Sequence, residues 1–413
     1  MLVEARKQTD TLFALVRPDS LYDRPIPERH RIIFYVGHLE AFDWNLLRPH
    51  LRNAEPFDPR LDRLFAFGID PVDGRLPRDQ QADWPDVEEV LRYCRRVREV
   101  LDDAEHPTEL LHTAVEHRLM HAETLAYMLH QLPRDRKLAQ LQAAAPENGS
   151  VTAGTVEVPS GMATLGQPRG AAFGWDNEFD GHAVEVPAFA IDRHKVTNAE
   201  YLYFMESGGY ADRKLWSEDG WRWKEEANIG HPVFWKRNGG DWRYRTMFDE
   251  IALPMKWPVY VSHAEASAYA RWAGARLPSE AEWHRAAYGS PDGPERQYPW
   301  GDDTPGPKHG YFDFTRWDPS PVNAFPCARS AYGVEGLLAN GWEWTRTLFA
   351  PFEGFAPRSY YVGYSGDFFD GKHYVLKGGS ARTAACMLRR SFRNWFQAHY
   401  QYVYAGFRCV RGE

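Results

Sequence analysis

The sequence predicts an α+β chain of two unlike domains, a helical bundle followed by a region of short strands and loops. Three observations predict it. Apolar residues recur at three- and four-residue spacing in 9–16, 31–51, 87–101 and 108–132, which is the period of amphipathic helices. The stretch 144–155 is small, polar and contains Gly and Pro, the composition of a linker. Beyond it, short strand-like runs alternate with Gly, Asp, Asn and Pro clusters, and most of the 16 Trp residues lie after residue 170. The boundary is expected near residue 150, giving domains 1–150 and 151–413.

Taken in order, the four helical segments are separated by proline-bearing turns, which stop helices, and four such segments suggest a four-helix bundle. After the linker, 184–191 and 374–377 read as strands. A helix over 198–206 follows a Thr197 or Asn198 cap. The segment 262–273 opens on Ser262 with Glu265 three residues on, and 279–287 on Ser279 with Glu282; both are capping-box arrangements. No internal repeat or low-complexity tract is present.

With 413 residues, 43% hydrophobic and 15% aromatic, the chain can bury sizeable cores. A formal charge of −8 argues against nucleic acid as partner, since phosphate binding needs a concentrated basic surface. No apolar run of membrane-spanning length and no signal-peptide pattern occurs, so the expectation is a cytoplasmic protein without a membrane partner; homo-oligomerisation is left open. Cys94, Cys327, Cys386 and Cys409 are too few and too scattered for a disulfide framework or a zinc motif of close Cys pairs.

The chemistry-bearing pattern is Glu116-His117-Arg118-Leu119-Met120-His121-Ala122-Glu123. Histidines four apart project from one helix face, about 5–6 Å apart at Cβ, close enough to share an ion. A solvated helix face is the bland alternative. His38, inside an otherwise apolar helix, is the candidate third ligand, because facing helices of a bundle can assemble a metal site; a satisfied core histidine is its alternative. His112 is a less well aligned competitor. Glu123 points about 200° around the helix from His121 and is read as a partner of a ligand, not a ligand.

The spacing His38…His117-x-x-x-His121-x-Glu123 resembles the three-histidine signature of the DinB-like domain in the EgtB group of ergothioneine-pathway sulfoxide synthases. The resemblance continues through Arg276-Leu277-Pro278-Ser279-Glu280-Ala281-Glu282-Trp283, Asn340-Gly341-Trp342-Glu343-Trp344-Thr345, Leu376-Lys377-Gly378-Gly379-Ser380 and Gly406-Phe407-Arg408. These resemble landmarks of the formylglycine-generating-enzyme-like domain, a C-type-lectin-like scaffold. The implied architecture is an iron-binding DinB-like four-helix bundle over 1–150 and a substrate-binding formylglycine-generating-enzyme-like domain over 151–413, with the active site between them.

The resemblance implies a non-heme Fe(II) cofactor held by His38, His117 and His121, with hercynine, a thiol and O₂ as reactants. The thiol is cysteine or γ-glutamylcysteine. Asn394 and Trp395 match the segment that holds the histidine-betaine, and a Trp face suits a quaternary ammonium. Arg75 and Arg78 stand where relatives clamp the thiol substrate's carboxylate with guanidinium forks. Phe396 occupies the place of an acidic residue in members that use γ-glutamylcysteine, and Met120 that of a glutamine on the betaine carboxylate; both changes suggest a divergent subgroup, one in which free cysteine can replace γ-glutamylcysteine. A tyrosine supplying a proton is also implied. Tyr361 and Tyr364 lie on a loop resembling the family's tyrosine loop, and Tyr93, on a helix of the same bundle as the histidines, is the third candidate.

Three rival activities and a non-enzymatic reading stand beside this one. A selenoneine synthase would take a selenosugar, and a DinB-like thiol transferase would use its metal as a Lewis acid. Formylglycine generation needs a redox cysteine pair near the C-terminus, and Cys386 and Cys409 do not supply it. A lectin-like binding module would leave the three histidines unexplained.

Overall fold

A computed structural model describes residues 1–52, 54–67, 78–140, 142, 149–170, 172–291 and 293–412. It divides into two units, Met1–Leu141 and Gln142–Glu413. Hydrogen bonds place the division ahead of the linker composition. The Gln142 side chain accepts from the Trp317 N–H at 2.6 Å and donates to Asp318 at 3.1 Å, so the chain already belongs to the second unit there.

The first unit has five helices among its described residues: α1 Leu2–Phe13, α2 Ile32–Leu47, α3 Pro59–Phe67, α4 Val87–Asp102 and α5 Thr108–Gln131. Helix α3 was not among the four predicted, because nine residues give too few turns for a periodicity to register. Helix α2 packs against α3, α4 and α5, and α1 packs against α5. That central place explains why α2 is apolar nearly all round.

Charged residues cross this core in one network. Arg118 of α5 donates to Asp43 at 2.5 Å and to Glu40 at 3.1 Å, both on α2. Glu40 also takes Arg98 of α4 at 2.6 Å and faces Arg6 of α1 at 3.5 Å. Four helices are thus tied to one pair of carboxylates. Burial pushes Asp43 up to about 6 against the pull of Arg118, with the Glu40 charge adding to the rise. Burial also raises Glu40, but Arg118, Arg98 and Arg6 together hold it below the usual carboxylate range.

The second unit is built of short strands: β1 Thr155–Val158, β2 Gly161–Leu165, β3 His182–Val186, β4 Phe189–Asp192, β5 Trp235–Asn238, β6 Asp241–Arg245, β7 Glu250–Ala252, β8 Gly341–Leu348, β9 His373–Gly379, β10 Asn394–Gln397, β11 Ala405–Gly406 and β12 Val410–Arg411. They form sheets in the orders β1-β4-β12, β10-β9-β8-β11, β2-β3 and β5-β6-β7. The run 184–191, expected as one strand, is two strands in different sheets. Pro187 separates them, since proline cannot donate to a ladder. Helices α6 Asn198–Glu206, α7 Glu218–Glu226, α8 His263–Trp272 and α9 Glu280–Tyr288 complete the unit. Ser262 and Glu265 cap α8 reciprocally, as do Ser279 and Glu282 for α9. Helix α7, capped by Ser217, was not anticipated.

The sequence landmarks meet in the interior. Glu343 of β8 takes a two-pronged bond from Arg408 at 2.6 and 2.8 Å, the Trp283 indole at 3.0 Å and Lys195 at 3.0 Å. Burial pulls Lys195 down to about 8 although Glu343 opposes it. Gly341, at φ +104°, lies where a Cβ would come within 2.5 Å of the Tyr260 ring. A side chain is excluded there both by backbone conformation and by space.

Candidate active site

Helices α2 and α5 bring His38, His117 and His121 together, with one ring nitrogen from each lying within 4.8 Å of the others. His117 is buried, and His121 is half-buried. Phe42 stacks on His117 at 3.4 Å and Phe34 on His38 at 4.7 Å. His38 Nδ1 lies 2.6 Å from the Phe65 carbonyl of α3. A carbonyl only accepts, so Nδ1 carries the proton and Nε2 is left as a bare lone pair.

His38 Nε2 is 3.3 Å from His121 Nε2. Two imidazoles on one ion about 2.0–2.1 Å from each nitrogen place those nitrogens roughly 2.9–3.4 Å apart for octahedral to tetrahedral angles. His121 Nδ1 is buried with no hydrogen-bond partner among the described residues. Burial pulls His38 down to about 4, and burial together with the neighbouring histidines pulls His117 and His121 well below the ordinary imidazole range. Three neutral imidazoles are the protonation state that ligation needs, so the donor set fits a divalent transition metal. His112 is not in the cluster. Glu123 is buried two residues beyond His121 on α5, and Met120 is half-buried on the same helix.

Tyr93 of α4 is buried, and its hydroxyl donates to Asp62 Oδ1 of α3 at 2.7 Å. Its proton is therefore committed to a carboxylate of the bundle. Arg78 is exposed beside Asp79, which Arg31 and the Trp84 indole each hold at 2.7 Å. Arg75 lies outside the described residues.

A second cluster lies within the second unit. Trp395 of β10 is half-buried, stacks on Phe349 at 4.2 Å and meets Tyr364 edge-on at 5.3 Å. Tyr364 stacks on Trp175 at 3.9 Å, and Tyr361 lies 5.5 Å from Tyr364. The betaine-matching segment and the tyrosine loop are thus neighbours. Asn394 turns its side-chain oxygen onto the Trp395 N–H at 2.9 Å. Phe396 stacks on Tyr400 at 4.9 Å, an apolar pairing with no charge to offer an amino group. Burial, with the Asp176 charge adding, pushes Tyr361 up to about 12, so its phenol keeps its proton at neutral pH.

Sequence reasoning missed the supports: Phe42, Phe34, the Phe65 carbonyl, Trp175 and Phe349. Gly37 was an available signal, since glycine inside an apolar helix marks a close approach. A Cβ there would come within 2.4 Å of the Phe65 ring.

Residues 141–413 match the sulfatase-modifying factor enzyme 1-like domain. The chain is similar to the hercynine oxygenase of Mycolicibacterium thermoresistibile, 36% identical over 91% of this chain and 85% of that one. The chain belongs to the hercynine oxygenase family. A second hercynine oxygenase, from Mycolicibacterium smegmatis, is 37% identical over 77% of this chain and 76% of its own. Ergothioneine biosynthesis protein 1 of Neurospora crassa is 27% identical over 95% of this chain and 55% of its own length. Membership of the hercynine oxygenase family makes the chain an oxygenase. In the domain of the sulfatase-modifying type, Cys386 is exposed, Cys409 is buried, and both are free thiols. No helix among the described residues is long and apolar enough to cross a membrane.

Proposed function

We propose that this chain is a non-heme Fe(II) sulfoxide synthase that uses O₂ to join the sulfur of cysteine to the imidazole C2 of hercynine, with a DinB-like first unit. The observation that carries the reading is the cluster of His38, His117 and His121 in a hercynine oxygenase relative. These three residues would hold the iron, which supplies open positions for O₂ activation when bound. In the net reaction the hercynine C2–H and the thiol S–H break while C–S and S–O bonds form. One O₂ is fully reduced, one oxygen ending on sulfur and the other in water.

The residues of the chain bind and supply protons. The aromatic faces of Trp395 and its neighbours receive the quaternary ammonium, a contact of about 1–2 kcal/mol once desolvated. Arg75 and Arg78 are the proposed receptors for the thiol substrate's carboxylate. Tyr361 and Tyr364 are the proposed proton donors. Phenylalanine at either keeps the ring and deletes the proton, so product analysis by NMR is expected to show sulfinate from the thiol in place of part of the sulfoxide. An unchanged product ratio in both variants removes this loop from the chemistry.

Phe396 sets the expected thiol preference. O₂ consumption with hercynine plus cysteine is expected to exceed that with γ-glutamylcysteine by about tenfold in kcat/KM, or about 1.4 kcal/mol of transition-state binding. The opposite preference means that the amino group of γ-glutamylcysteine is recognised elsewhere. A selenosugar in the same assay is expected to give no turnover, and turnover with it alone would make the chain a selenoneine synthase.

A further inference from the structure

Helix α3 is short, yet among the described residues it makes the contact that sets the tautomer of His38. The contact is a backbone carbonyl, so no side chain at residue 65 encodes it. It depends on where α3 sits. Phe65 lies in the last described turn of that helix. Arg60 of α3 pairs with Glu89 of α4, and three further features bear directly on Phe65 and Asp62. Gly37 lets the Phe65 ring lie directly on α2, since any Cβ would come within 2.4 Å of it. The Asn45 amide of α2 donates to the Asp62 carbonyl at 3.3 Å. On the other side, Tyr93 of α4 donates to the Asp62 carboxylate at 2.7 Å, and its ring lies 6.0 Å from that of Phe65.

We propose that Tyr93 is a positioning residue for the metal centre: its bond to Asp62 holds α3 so that the Phe65 carbonyl keeps His38 in the Nδ1–H tautomer. The inference rests on the reading of His38, His117 and His121 as metal ligands. Among the described residues, the acceptor for the His38 proton is the Phe65 carbonyl, carried by a helix that α4 helps to hold in place. If α3 drifts, Nδ1 loses its acceptor, and the competing tautomer puts the proton on Nε2, the atom that must ligate. Tyr93 then acts on the metal through two hydrogen bonds, without touching a substrate.

The test uses the full-length protein without metal, titrated with Co(II), whose visible bands report coordination, alongside ¹⁵N NMR of its histidines. The parent is expected to bind one Co(II) and to show His38 protonated at Nδ1. Tyr93→Phe is expected to lose about tenfold in Co(II) affinity, in the range found when a group supporting a ligand is removed, and to show mixed His38 tautomers. Asp62→Leu is expected to do the same, and the double variant to be no worse than either single one, because both cut the same link. Asp62→Asn still offers the phenol an oxygen and is expected to bind like the parent. A folded Tyr93→Phe protein with parental affinity and tautomer overturns the proposal. Where Tyr93→Phe does not fold, equal Co(II) affinities for Asp62→Asn and Asp62→Leu overturn it. A parent protein that binds no Co(II) overturns the metal reading itself.

Discussion

Alanine at His117 is expected to abolish O₂ consumption and sulfoxide formation in the iron-reconstituted protein, and alanine at His38 or His121 to do the same. Each substitution removes one of the three donors proposed among the described residues and leaves too few to hold the ion. His117 is the most telling of the three, because it is buried to 2% exposure and stacked on Phe42. Solvent cannot readily take its place there. O₂ uptake by electrode and product by NMR check the result, and full activity in any of the three variants sinks the assignment.

Replacing Arg118 by methionine is expected to cost the first unit about 3–5 kcal/mol, because it strands Glu40 and Asp43 in the core with one guanidinium fewer. Arg118 is 1% exposed, and Asp43 is fully buried. The cost comes from leaving buried charge uncompensated, not from losing a favourable pair. The contrast is Arg213, whose bond to Glu218 lies on the surface with both side chains more than half exposed. Arg213→Ala is expected to change stability by at most about 1 kcal/mol. Urea unfolding of both variants compares them. Similar small losses would mean that the Arg118 network relaxes more freely than its burial suggests.

These two effects also show what the sequence could and could not reveal. His38 stood out because an ionisable residue in an apolar helix needs a reason, and His117 and His121 because a four-residue spacing puts them on one face. Arg118 sits between those two histidines and drew no notice, since its partners come from another helix and pairing is invisible without the fold. The capping boxes of α8 and α9 were readable because Ser262 and Ser279 find their glutamates three residues on. Helices α3 and α7 were not, being too short to show a period. The Phe65 carbonyl could not be read at all, because every residue carries one and only tertiary position gives it a role. Tyr93 is one of three candidate acids by the stripe it occupies, and its hydroxyl donates to Asp62, on a helix that periodicity does not reveal.

The most direct measurement of the central claim is anaerobic titration of the metal-free protein with Fe(II), read by metal analysis after gel filtration. One Fe(II) is expected to be retained per chain, and none in a variant with His38, His117 and His121 all replaced by alanine. Iron retained equally by that triple variant, or none retained by the parent, would contradict the claim.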